Sequence, residues 1–73
     1  MYRTIYRQRW KCLNAGRWQS PCGWYLASRA GRALWIGIDI SDKSQTWYAD
    51  SLTSLVWQLL PREQRDYYRK RAT

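Results

Sequence analysis

Residues 2 to 12 alternate in character. Tyr2, Thr4, Tyr6, Gln8, Trp10 and Cys12 fall on one side of an extended chain, and Arg3, Ile5, Arg7, Arg9 and Lys11 on the other. A two-residue period is that of a half-buried strand, so this stretch predicts one strand with a basic outer face. Asn14-Ala15-Gly16 offers a three-residue loop with glycine in the left-handed position, closed by a bulge, and a second strand beginning at Arg17. Pro21 cannot donate to a β-ladder, so Ser20 to Gly23 is expected to be a bulge or a break, with the strand resuming at Trp24.

The triplet Ala-Gly-Arg recurs at 30 to 32. If Arg29-Ala30-Gly31 closes a three-residue loop like the first, Leu26 pairs with Leu34, Trp24 with Ile36 and Cys22 with Ile38, giving a wholly apolar face. The opposite face then receives Tyr25 across from Trp35 and Ala27 across from Ala33. Leu34, Ile36, Ile38 and Ile40 make a β-branched third strand, Ser41 to Gln45 reads as a turn, and Thr46 to Ala49 as a short fourth strand. Asp50 stands where an N-cap belongs, ahead of Leu52, Leu55, Val56, Leu59 and Leu60 at helical spacing, so residues 51 to 60 predict an amphipathic helix with Trp57 at the edge of its stripe. Pro61 ends that helix or starts another, and 61–73 is a short polar helix or a flexible basic tail.

The expected architecture is therefore α+β: a domain over 1–60 in which a three- to four-stranded antiparallel β-meander packs on one C-terminal α-helix, then the polar segment. The helix would cover the Leu26–Ile36 face. Tyr25, Trp35 and the basic residues would be left on a bare one.

Composition bears on this picture in two ways. The chain has 73 residues, six Trp, six Tyr and no Phe; so small a domain buries only about 60% of its unfolded surface, and both ring types favour places where one edge is dry and the other meets water or a partner. Trp10, Trp18, Trp24 and Trp57 are expected in the core or at its edge, where a phenylalanine-free interior needs bulk. The net charge is +8. Residues 1 to 32 hold seven of the cations and no acid, which directs the molecule towards acidic surfaces such as phosphate backbones, anionic lipid or acidic protein. There is no apolar run of membrane-spanning length and no apolar stretch behind the basic N-terminus, so the expected location is the cytoplasm.

Catalytic chemistry is expected to be absent. There is no His, and Asp39, Asp42, Asp50, Glu63 and Asp66 are scattered over turn, cap and tail with no pair spaced as acid and base. The isolated glycine turns lack the further glycines and the lysine of a phosphate-binding loop. Cys12 and Cys22 are too few for a tetrahedral zinc site within one chain, and are expected to be buried thiols. No cofactor or metal is implied. The arginines of strand one either solvate an exposed strand and discourage edge pairing or meet an acidic partner. Tyr25 and Trp35 either stiffen a hairpin or anchor a ligand.

The candidate partner-binding residues are Arg3, Arg7, Arg9, Lys11, Arg17, Tyr25, Arg29, Arg32 and Trp35. In size, charge, tryptophan content and its ending YADSLTSLVWQLLP, the chain resembles the short one-domain regulators that lytic bacteriophages direct at bacterial RNA polymerase. That resemblance implies a monomer that binds polymerase subunits, inhibits initiation or promotes antitermination, and works in the bacterial host cytoplasm. A sheet packed on one helix also resembles the arm-binding domain of tyrosine integrases. This second resemblance implies direct DNA or RNA binding, with Arg17, Arg29 and Arg32 at base edges and Arg3, Arg7, Arg9 and Lys11 on phosphates.

Overall fold

A computed structural model describes residues 1–72; Thr73, the end of the predicted tail, lies outside the described residues. The chain forms β1 (Tyr2–Ile5), β2 (Gln8–Asn14), β3 (Arg17–Gln19), β4 (Tyr25–Gly31), β5 (Leu34–Asp39), β6 (Thr46–Ala49), α1 (Leu52–Leu59) and α2 (Arg62–Ala72). Each strand pairs antiparallel with the next, so the sheet is a six-stranded meander in sequence order. The α+β class and the meander agree with the sequence reading. The count does not: six strands replace three or four, and two helices replace one.

Both extra strands come from turns that the alternation concealed. Tyr6 and Arg7, read as strand, have φ of 49° and 62° and reverse the chain between β1 and β2. A two-residue hairpin turn requires positive φ, and usually takes it from Asn or Gly. Here the bulky pair is held from outside: the Tyr6 ring lies 5.3 Å from Trp57 and 5.2 Å from Tyr68, and the Arg7 guanidinium lies 5.7 Å from the centre of the Tyr67 ring. The second hidden reversal is at Pro21. Ser20 to Trp24 is a full turn, tied by the Ser20 hydroxyl, which accepts from the backbone N–H groups of Trp24 (3.1 Å) and Tyr25 (3.0 Å).

The two Ala-Gly-Arg turns are tighter than expected. Asn14 pairs with Arg17 and Gly31 with Leu34, each across a two-residue loop, with a bulge just before the first loop and another just before the second. Gly16 does take the left-handed conformation, at φ +81°. In the second hairpin Leu26 faces Ile38, Ser28 faces Ile36 and Arg29 faces Trp35, which replaces the Leu26–Leu34 and Tyr25–Trp35 register. The shift is even, so the aliphatic residues still share one face.

That face is the one the helix leaves bare. α1 lies on the Ala27–Gly37 side, where a Cβ built on Gly37 would come within 3.0 Å of Leu55 Cδ1. Ala27 and Gly37 are register partners and form a floor without bulk, so the helix approaches closely. Trp10, Trp18, Tyr25, Trp35 and Trp47 surround that floor and pack on Leu52, Leu55, Val56 and Leu60. Of these five rings Trp10 is fully buried, and the other four are half-buried around the floor on which the helix rests.

The helices follow the sequence signals with small shifts. Ser51, not Asp50, is the N-cap of α1, its hydroxyl accepting from the Ser54 N–H at 3.1 Å. Pro61 opens α2, its carbonyl accepting from the backbone N–H groups of Gln64 and Arg65. Trp57 sits at the edge of the stripe as expected, in a ring cluster with Tyr6 and Tyr68. Asp39 closes the β5–β6 turn: its carboxylate accepts from the Ser41 hydroxyl and backbone N–H and from the Asp42 N–H. The Ser41 hydroxyl leads these bonds in holding the Asp39 pKa below its ordinary value, against a smaller opposing effect of burial.

Candidate interaction surfaces

The uncovered face of the sheet is built from alternate residues of all six strands. One register row runs Tyr2, Lys11, Gln19, Leu26, Ile38, Thr46, and the next includes Arg17, Ser28, Ile36 and Tyr48. The side chains thus sort along the sheet. Arg9, Lys11 and Arg17 stand exposed on β2 and β3, while Leu26, Leu34, Ile36 and Ile38 make an aliphatic centre on β4 and β5. Tyr48 on the last strand is 60% exposed. Arg9 stacks over the Tyr2 ring at 4.3 Å from its centre, which fixes one cation at the β1 edge. No acid faces outward from any strand of this surface.

Only three of the nine predicted partner-binding residues meet here: Arg9, Lys11 and Arg17. Arg3 pairs with Trp10 and so belongs to the helix side of the sheet, although its side chain is exposed. Arg7 is in the β1–β2 turn against Tyr67. Arg29 also projects on the helix side, where its Nε donates to the Gly31 carbonyl at 3.1 Å, and Arg32 stands exposed at the β4–β5 tip. Tyr25 and Trp35 are a correction. Both are half-buried and pack on the core, Tyr25 edge-on to Trp47 at 5.5 Å, because the small residues Ala27 and Gly37 share their face and admit the helix there.

The sequence reading missed Leu34 and Tyr48, which are exposed, and Leu26, Ile36 and Ile38, which are half-buried, as residues of the uncovered face. Their signal was present in the phase of Trp10, Trp18, Trp35 and Trp47: with the true turns in place, all four indoles fall on one side, and the aliphatic set is what remains. Two further corrections concern Trp24, which is 65% exposed rather than core, and the cysteines, of which Cys22 is exposed and Cys12 half-buried.

A second surface feature lies on the helix side. The β1–β2 turn, the Ser20–Trp24 turn and the α1–α2 junction enclose a half-open groove of about 900 Å³. Trp10, Trp24, Tyr25 and Trp47 line it, with Leu59 and Pro61 at the helix junction and the chain from Arg7 to Arg9 along one rim, although the Arg9 side chain itself lies on the uncovered face over Tyr2. The Trp10 indole N–H is sealed from solvent and has no hydrogen-bond partner among the described residues.

Among the described residues, no helix is long and apolar enough to cross a membrane, and no three His, Cys, Asp or Glu side chains are grouped to hold a metal ion. No family model, curated protein or solved structure matches the chain.

Proposed function

We propose that this chain is a non-enzymatic binding protein that docks the uncovered sheet face on an acidic protein surface with an apolar centre. The observation that carries the reading is the composition of that face: aliphatic residues in the middle, three cations on one flank and no acid. Desolvating the Leu26–Ile36–Ile38 centre supplies the affinity, and Arg9, Lys11 and Arg17 supply orientation and a faster encounter. An aliphatic patch bordered by one sign of charge is a feature of interaction surfaces.

The partner is bacterial RNA polymerase. Support for this step comes from the resemblance in size, charge, tryptophan content and helical ending to phage regulators of that enzyme, and it makes the chain an inhibitor of initiation, a promoter of antitermination, or both. The direct test is binding to purified, nucleic-acid-free polymerase. The expected result is a complex that survives raised salt and is lost when Leu26→Gln and Ile36→Thr are combined in a protein that keeps its far-UV spectrum. No complex, or a complex indifferent to that double variant, overturns the reading.

The clustering of Arg9, Lys11 and Arg17 on adjacent strands also favours a second reading, in which the same face lies on DNA or RNA. The surface suits it less. Its exposed rings, Tyr2 and Tyr48, sit on opposite edge strands and form no stacking platform. Salt separates the two: affinity for nucleic acid falls by roughly 0.9 log units per log unit of salt for each phosphate neutralised, whereas an aliphatic anchor is far less sensitive.

A further inference from the structure

We infer that the free edge of β1 is a second and separate binding site, which takes an extended acidic segment of a partner protein as a seventh strand of the sheet. In the β1–β2 ladder the Met1 carbonyl accepts from the Cys12 N–H, and Tyr6-Arg7 closes the hairpin, so Met1, Arg3 and Ile5 turn their backbone groups inward to β2. Tyr2 and Thr4 turn theirs outward. Both residues are exposed, and among the described residues no hydrogen bond reaches those outward N–H and C=O groups.

The other edge of the sheet is treated differently. There Gln45 faces β5, since its carbonyl accepts from the Asp39 N–H, so Thr46 and Tyr48 point outward. Gln58 of α1 reaches back and donates to the Tyr48 carbonyl at 2.8 Å, which occupies that edge with a side chain of the protein itself. An open edge is a template for another strand, and is commonly blunted by proline, a bulge or a covering element. The β6 edge has such a cover, whereas β1 has no proline, no bulge and no side chain bonded across its outward groups.

Backbone geometry fixes the kind of ligand, and charge fixes its composition. Donors and acceptors spaced along one strand edge match an extended polypeptide rather than a nucleic acid or a small anion. Cations flank this edge on both faces: Arg3 on the helix side, and on the uncovered face Arg9, whose guanidinium lies 4.3 Å from the centre of the Tyr2 ring. Residues 1 to 32 contain no acid. A second copy of the chain is a poor occupant, because the two-fold pairing that uses Tyr2 and Thr4 of both copies sets Arg3 directly against Arg3, and like charges so placed are destabilising. A glutamate or aspartate in the same position is attracted.

The test is a titration of isotope-labelled full-length protein with Ac-Glu-Val-Glu-Val-Glu-NH2, whose valines pair with Tyr2 and Thr4 and whose central glutamate faces Arg3, read on the Thr4 amide resonance and its hydrogen-exchange rate. The expected result is saturable movement of the Thr4 signal, slower exchange of that amide, and about a tenfold weaker affinity for an Arg3→Glu protein that keeps its far-UV spectrum. The same peptide N-methylated at both valines keeps its charge but loses the N–H groups that pair with the edge, and does not bind; nor does Ac-Lys-Val-Lys-Val-Lys-NH2. The Leu26→Gln, Ile36→Thr protein binds the acidic peptide normally, which keeps this site distinct from the sheet-face reading. An unmoved Thr4 signal, equal binding of the N-methylated or the lysine peptide, undiminished binding by Arg3→Glu, loss of binding in the sheet-face variant, or self-association of the free protein that protects the Thr4 amide would each overturn the inference.

Discussion

The two faces of the sheet invert the ordinary division of labour. The covered face is made of tryptophans, a tyrosine, Ile5 and two nearly absent side chains, Ala27 and Gly37; the uncovered face carries the leucines and isoleucines of β4 and β5. Hydrophobicity alone does not distinguish them, since both are apolar in the middle. Shape does. A helix settles where the backbone is bare enough to let it in and the surrounding rings are tall enough to enclose it. Aliphatic chains of uniform height on the other face offer no such seat, and are left for a partner.

Substitutions on the two faces should therefore fall into two classes. The largest effect is expected for Trp10→Ala, which empties the centre of the covered face: a loss of about 3–5 kcal/mol is comparable to the whole stability of so small a domain, and thermal melting should show little or no cooperative transition. Gly37→Val comes next. The added branch meets Leu55, so overpacking should cost about 1–3 kcal/mol and lower the denaturation midpoint; an unchanged midpoint would mean that α1 does not rest on that strand. On the uncovered face, Leu26→Gln with Ile36→Thr should shift stability by no more than about 1 kcal/mol while abolishing partner binding.

Smaller effects probe the turns that set the phase of these faces. Arg7→Gly relieves a positive φ and forfeits the contact with Tyr67, so the melting temperature should change little in either direction; a marked loss would make that contact the main restraint on the turn. The pH effect is the smallest. The folded-state pKa of Asp39 is depressed by the Ser41 and Asp42 bonds, so its stabilisation is complete above the ordinary aspartate value and is lost as pH falls from there through the lowered folded-state value. In Asp39→Asn that part of the acid dependence should vanish, as an acid titration of the fold would show.

The class of fold was legible because alternation, turn composition and the leucine spacing of residues 52 to 60 are local signals. The phase was not. Tyr6 and Arg7 continue the alternation without a break, and nothing in their chemistry announces positive φ; the rings that stabilise them come from α1 and α2, some fifty residues or more away in the chain. Missing that reversal moves Gln8, Trp10 and Cys12 relative to Arg3 and Ile5, which turn out to share their side. The choice of face failed for another reason: the aliphatic set was taken as the core by default, although the helix needed the gap left by Ala27 and Gly37. Of the candidate cations, Arg9 and Lys11 keep the expected face because they share β2, and Arg17 opens β3 on the same side, whereas the β1–β2 reversal puts Arg3 on the helix side and Arg7 in the turn, and Arg29, expected at a hairpin tip, lies in β4.

The central claim is that α1 covers the tryptophan face and leaves the aliphatic face open. Methyl resonances recorded with a soluble paramagnetic agent test it most directly. Strong broadening of Leu26, Ile36 and Ile38, with Ala27, Leu55 and Val56 protected, is the predicted result. Protection of Leu26 and Ile36 together with broadening at the Tyr25 and Trp35 rings would contradict it.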